Sequence, residues 1–226
     1  MNQHEGILLV DKPKGVTSFS LIRQLRRLLN VKKIGHAGTL DPLATGVMIY
    51  LIGSKYTKQS DKFLATEKEY RATLTLGSET DSYDSDGVVI ATNPTIPTSE
   101  EIHTALNDFQ GTLWQTPPMH SAKKVNGQKL YNLARQGKEI ERKPSQVTLS
   151  TDFISYTYPT LTLHVTCSKG TYIRSIAHDL GKKLGCLAHL SGLIRTRSGS
   201  FSLADCLSGD SLTLDAIRSS LRHKES

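Results

Sequence analysis

Gly35-His36-Ala37-Gly38-Thr39-Leu40-Asp41-Pro42-Leu43-Ala44-Thr45-Gly46 runs directly into Val47-Met48-Ile49-Tyr50-Leu51-Ile52. The second part is short, apolar and bounded by Gly46 and Gly53, which predicts a buried strand. The first part predicts a twelve-residue connection whose glycines let it turn tightly and approach a ligand closely. Pro42 biases Asp41 towards extended backbone and offers no N–H of its own. One carboxylate therefore stands in a stiff loop at the edge of a rigid element. The residues alone leave two readings of Asp41: a turn cap, as in most Asp-Pro pairs, or a catalytic group on a firm support.

The chain has 226 residues, with 28 Lys and Arg against 21 Asp and Glu, a net charge of +7 and a pI near 9.3. That length buries a sizeable core, and that balance suits a polyanion such as RNA. Cys167, Cys186 and Cys206 are odd in number and widely spaced. They exclude a disulfide framework and a zinc site and point to a reducing compartment. The polar start Met1-Asn2-Gln3-His4-Glu5 is no signal peptide, and no apolar run approaches the ~18 residues of a membrane span. A soluble, cytoplasmic protein without a membrane partner is expected.

Gly6 to Val10 predicts a first strand, ending in Lys12-Pro13-Lys14-Gly15, which reads as a basic turn. Thr17 or Ser18 then caps a helix to about Asn30, with Leu21, Ile22, Leu25, Leu28 and Leu29 on its core face. Arg23, Arg26 and Arg27 lie on other faces and read as solvated. A short polar helix is expected near Thr57 to Thr66. Glu69 to Leu76 alternates cleanly, placing Tyr70, Ala72, Leu74 and Leu76 on the buried face of a strand. The acidic Gly77 to Gly87 segment invites a calcium reading. Setting Gly87 at the sixth position of an EF-hand loop puts Ser82 first and Asn93 twelfth, so calcium is rejected.

Thr98 with Glu101 forms a capping box that starts a helix to about Phe109. Residues 117–145 carry a basic stretch with Lys123, Lys124, Lys129, Arg135, Lys138, Arg142 and Lys143 against Glu139 and Glu141. It reads either as a phosphate-binding footprint or as a solvated helix face. Val147 to Tyr156 and Leu161 to Cys167 predict a hairpin about Pro159. A helix from near Thr171 to before Gly185 places Tyr172 and Arg174 in its first turn. An arginine there opposes the helix dipole, so a fixed acidic partner is expected.

A series of motifs in the family's order resembles those of the TruB family of tRNA pseudouridine synthases, across about residues 6–205. GHAGTLDPLATGV resembles its G-H-x-G-T-L-D-P-x-A-T-G-V, and KPKGVTS its K-P-x-G-V-T-S. The acidic segment resembles G-x-x-T-D-T-x-D-x-x-G, with Ser82 for the second Thr. PPMHSAKKVNGQKLYNLARQG is similar to a basic insertion that folds over RNA, with His120 where an aromatic is more usual. CSKGTYIRS and LSGLIRTRSGSF resemble the last two.

The resemblance implies an α/β (α+β) pseudouridine synthase fold: one catalytic domain, 1–226, on a mixed, largely antiparallel sheet flanked by helices. It implies a basic RNA-binding insertion at 117–145 and a short tail at 206–226, without the further C-terminal RNA-binding module of many relatives. The implied reaction isomerises uridine 55 in the T loop of tRNA, with no cofactor, no metal and no obligate protein partner. Asp41 is then the catalytic carboxylate and Arg174 its bidentate partner. Tyr70 stacks on the uracil and is the candidate for the C5 proton. His36 touches the flipped nucleotide, Tyr172 and Leu193 wall the pocket, Lys12 supports the loop, and Lys123 and Lys124 grip the RNA. Two alternatives stand beside this: a synthase acting on another RNA, and a non-catalytic RNA-binding or tRNA-folding protein.

Overall fold

The apolar run after Gly46 is a strand, Thr45–Ile52, buried from Gly46 to Ile52. Gly6–Lys12 pairs antiparallel along its whole length, from Gly6 opposite Ile52 to Lys12 opposite Gly46. The strand Ala188–Ser198 meets it in parallel, Ile194 opposite Thr45 and Arg195 opposite Gly46. Ile7, Leu9, Ala37, Val47, Ile49, Leu51, Tyr56, Phe63 and Phe201 form the core cluster beneath. Each Val, Leu, Ile or Phe side chain among them contributes about 1.5–3 kcal/mol on full burial.

The computed structural model describes residues 4–121, 124, 125, 127–130, 133, 136, 137 and 140–223. Two compact units are present, Met1–Arg71 with Leu193–Ser226, and Ala72–Gly192. The chain leaves the first within the strand Lys68–Leu76 and returns within Ala188–Ser198. In the first unit the strand order is Leu207–Ser208, Gly6–Lys12, Thr45–Ile52, Ala188–Ser198. In the second it is Lys68–Leu76, Thr160–Cys167, Ser145–Thr157, Gly111–Gln115. The expected mixed α/β class with a large, mostly antiparallel sheet is present, and no described helix is long and apolar enough to cross a membrane.

Local signals are obeyed closely. The Thr17 hydroxyl accepts from the Ser20 N–H and opens the helix Ser18–Leu29, which stops at Asn30 in the left-handed region. Leu21, Ile22, Leu25 and Leu29 are buried on it, while Arg23, Arg26 and Arg27 are exposed. The Thr98–Glu101 capping box starts Ser99–Leu106, and a 3-10 turn carries it to Phe109. Lys68–Leu76 buries Tyr70, Ala72, Leu74 and Leu76 as the alternation requires. The predicted hairpin is Ser145–Thr157 with Thr160–Cys167.

Four expectations are corrected. Gly35-His36-Ala37 is not loop but part of the strand Ile34–Ala37, His36 opposite Tyr50, so the connection shortens to residues 38–44. Ile34 and Ala37 both reach the core there, and pairing satisfies backbone groups that a glycine-rich segment would otherwise leave bare. The single polar helix is two, Ser54–Thr57 and Ser60–Leu64, because Tyr56 and Phe63 each turn inward. The acidic segment contains the strand Ser78–Thr80, paired with Val89–Thr92. Tyr172 is the residue before the helix Ile173–Lys183 rather than part of its first turn.

Candidate active site

Asp41 is half-buried, and both of its chain neighbours are held. On one side the Ser18 hydroxyl donates to the Leu40 carbonyl at 3.0 Å and accepts from the Leu40 N–H at 3.1 Å. On the other, the Pro42 carbonyl accepts from the Gly15 N–H at 2.8 Å and from the Lys12 ammonium at 3.3 Å. Lys12 is fully buried and also donates to the carbonyls of Val16 at 2.6 Å and Pro13 at 2.9 Å. A buried ammonium is tolerated only with such acceptors. Lys12 therefore ties the Lys12–Val16 turn to the loop. The Ala44 N–H closes a turn on the Asp41 carbonyl at 3.1 Å.

Arg195 fastens the two ends of the loop. It is 1% exposed; its Nε donates to the Val47 carbonyl at 2.7 Å and its Nη2 to the Gly38 carbonyl at 3.1 Å. The Met48 sulfur lies 3.0 Å from the same Nη2. Gly46 lets Arg195 come this close: its φ is +103°, and a Cβ there would stand 2.3 Å from the Arg195 carbonyl oxygen. The Gly46 N–H is bound by the Asp11 carboxylate at 3.0 Å. Leu193, 9% exposed, precedes this pairing by one residue on the same strand.

His36 stands half-buried, edge-on to Tyr50 with ring centroids 6.5 Å apart. Its Nδ1 is buried without a hydrogen-bond partner among the described residues. Burial, and then the Arg195 guanidinium, lower its pKa, so the ring is neutral at pH 7. Tyr50 donates to the Ser18 carbonyl at 3.1 Å, and burial pushes its phenol pKa up. Tyr70 is 8% exposed.

In the second unit Arg174 has the acidic partner that its place in the helix demanded. Its Nη1 lies 3.4 Å from the Asp84 carboxylate and donates to the Ser82 carbonyl at 3.1 Å. Its Nη2 donates to the His120 carbonyl at 2.8 Å. Asp84 is itself fixed by the Ser82 hydroxyl at 2.6 Å and the Asp86 N–H at 3.1 Å. Tyr172 is held by its backbone: the buried Gln115 amide accepts from its N–H at 2.7 Å and donates to its carbonyl at 3.1 Å.

Asp41, Tyr70, His36, Lys12 and Leu193 thus belong to the first unit, and Arg174 and Tyr172 to the second. Lys123 and the side chain of Lys124 lie outside the described residues; the backbone of Lys124-Val125 pairs with Gln128-Lys129. Sequence reasoning missed Ser18, Arg195, Asp84 and Gln115. The first three lie inside the quoted motifs, where Ser18 was read only as a candidate helix cap and Asp84 and Arg195 carried no task.

Residues 26–173 match the TruB family pseudouridylate synthase N-terminal domain, and residues 174–225 the tRNA pseudouridylate synthase B C-terminal domain. A protein of Protochlamydia amoebophila named tRNA pseudouridine synthase B is 60% identical over 205 residues, 91% of this chain and 78% of that one. Its namesake in Chlamydia felis is also 60% identical, over 91% of this chain and 87% of its own. That of Opitutus terrae is 51% identical, over 94% and 87%. Among solved structures, a Cbf5-Nop10-Gar1 complex superposes with a TM-score of 0.77 at 25% identity, over 99% of this chain and 61% of that one. On its ordered motifs, its matched domains and these relatives, the chain belongs to the TruB family of pseudouridylate synthases.

Proposed function

We propose that this protein isomerises uridine to pseudouridine in tRNA, at position 55 of the T loop. The observation that carries the reading is the carboxylate of Asp41 on a backbone pinned at both neighbouring residues by Ser18 and by Lys12 with Gly15. Relatives at 60% identity named tRNA pseudouridine synthase B support the substrate.

The reaction breaks the N1–C1′ bond of uridine and makes a C5–C1′ bond. C5 loses a proton and N1 gains one, so no redox partner or group donor is needed. What the chemistry asks for is a fixed carboxylate, an acceptor for the C5 proton and a pocket that excludes water. Asp41 is the carboxylate, acting covalently or as a base. Tyr70 stacks on the uracil and accepts the C5 proton, and Arg174 is the counter-charge that the family resemblance assigns to Asp41. Neutral His36 offers its unpartnered Nδ1 to the nucleotide turned out of the loop. Tyr172 and Leu193 line the base.

The test is release of tritium from tRNA carrying 5-tritiated uridine. Isomerisation expels the label stoichiometrically, and mapping the product locates it at one T-loop uridine. Tight RNA binding without label release would leave only a binding protein.

A further inference from the structure

Between Asp11 and Asp41 the chain has no acidic residue but seven basic ones: Lys12, Lys14, Arg23, Arg26, Arg27, Lys32 and Lys33. The 117–144 insertion also has seven, offset by two acids. Lys12 is buried beneath the loop, and the other six are exposed. None of those six has an ion-pair partner among the described residues. Arg23, Arg26 and Arg27 stand on the outward face of the helix Ser18–Leu29, opposite its buried leucines, with Lys14 before it and Lys32-Lys33 after it. Phe19, 56% exposed, starts that face, with the Arg23 guanidinium 5.9 Å from its ring centre.

Arg26 and Arg27 in the last turn complement the helix dipole. That accounts for neither Arg23 nor Lys14, nor for the absence of acids that would make the surface neutral. Surface helices ordinarily interleave both signs, because like charges at helical spacing repel. A stripe of one sign about 18 Å long, at 1.5 Å per residue, spans several phosphates of a nucleic-acid strand. The stripe is also bolted to the candidate active site, since Ser18 in the first turn of this helix brackets Leu40 next to Asp41.

We propose that the outward face of the helix Ser18–Leu29, with Lys14, Lys32 and Lys33, is a second RNA-contact surface that grips the sugar–phosphate backbone of the substrate tRNA. This rests on tRNA being the substrate. The contacts carry no sequence information; they set affinity and the orientation of the RNA with respect to the loop carrying Asp41.

The experiment compares tRNA binding by the parent, by the triple variant Arg23→Gln/Arg26→Gln/Arg27→Gln, and by Lys32→Gln/Lys33→Gln, across a range of salt concentrations. The second variant removes charge outside the helix, so it keeps the surface testable if the triple variant folds poorly. Each lost phosphate contact flattens the plot of log affinity against log salt by roughly 0.7–0.9. The expected result is a slope about 2 units shallower for the triple variant and more than 1 unit shallower for the double, with the activity loss in KM rather than in kcat. Slopes equal to the parent's in both variants overturn the surface. Label release by the parent is measured in parallel: its failure overturns the proposed reaction, whereas unchanged slopes with an active parent overturn only the second surface.

Discussion

The loop of Asp41 and the seat of Arg174 are both rigid, but they are held by opposite means. Around Asp41 the groups that do the holding are side chains, Lys12, Ser18 and Arg195, and what they hold is backbone: the carbonyls of Pro42, Leu40, Gly38 and Val47. Around Arg174 the guanidinium itself is held, by the Asp84 carboxylate and the carbonyls of Ser82 and His120. On the proposed mechanism the Asp41 carboxylate changes its bonding during turnover, so rigidity is best placed in the chain that carries it. Arg174, which would act by its field, is best fixed by its own head group.

The sharpest break of this comparison is Asp41→Asn. It preserves size and every backbone bond of the loop, so the fold and RNA affinity persist while label release falls at least a thousandfold, about 4 kcal/mol of barrier. Turnover within tenfold of the parent would show that the pinned loop serves something other than the Asp41 carboxylate.

Next in size is Gly46→Ala. The new Cβ meets the Arg195 backbone at a φ that L-residues avoid, and the cost is about 3 kcal/mol or more, read as a fall in unfolding free energy in urea. A loss under 1 kcal/mol would mean that the loop base yields easily and that the contrast in rigidity is overstated.

Arg174→Lys sharpens the other side. The charge remains, but an ammonium cannot reproduce the fork shared by Ser82, His120 and Asp84. Label release is expected to drop about tenfold, about 1.4 kcal/mol. Equal activity would show that the charge matters and its fixed orientation does not.

The smallest effect concerns His178, one turn further along the helix. Its ring stacks on Tyr83 at 3.8 Å, and its Nδ1 lies 3.2 Å from Glu79. Glu79 alone would favour the imidazolium. Burial, with Lys182 and Arg142 nearby, prevails and lowers the pKa to about 4, so a neutral ring donates to the carboxylate. Between pH 6.5 and 4 the unfolded chain then binds more protons at this residue than the folded one, and its contribution to stability is lost as pH falls through that window. Melting curves at pH 7 and pH 5 should show a smaller difference for His178→Gln than for the parent.

Much of this was legible in the sequence wherever cause and effect lie close together. The Thr98–Glu101 box and the alternation from Glu69 to Leu76 each involve residues two to four apart and are present, and of the two cap candidates Thr17 and Ser18 it is Thr17 that caps. The fastening of the site spans greater distances: 22 positions from Ser18 to Leu40, 30 from Lys12 to Pro42 and 157 from Arg195 to Gly38. No local pattern encodes such pairs, and a buried arginine held by backbone carbonyls looks in sequence like any solvated one. Ile34–Ala37 was hidden for a related reason, since Gly-His-Ala has little strand propensity and is held extended by the neighbouring Thr45–Ile52 strand.

The sealed ammonium of Lys12 has a practical consequence. An amine-acylating reagent cannot reach a fully buried nitrogen, so this lysine reacts only while the loop is transiently open. Its labelling rate, set against that of an exposed lysine such as Lys14, is a clock for that opening. Mass spectrometry of a timed acylation would read the clock directly, without RNA and without turnover. The same measurement with RNA bound would report how far substrate slows the opening beneath Asp41.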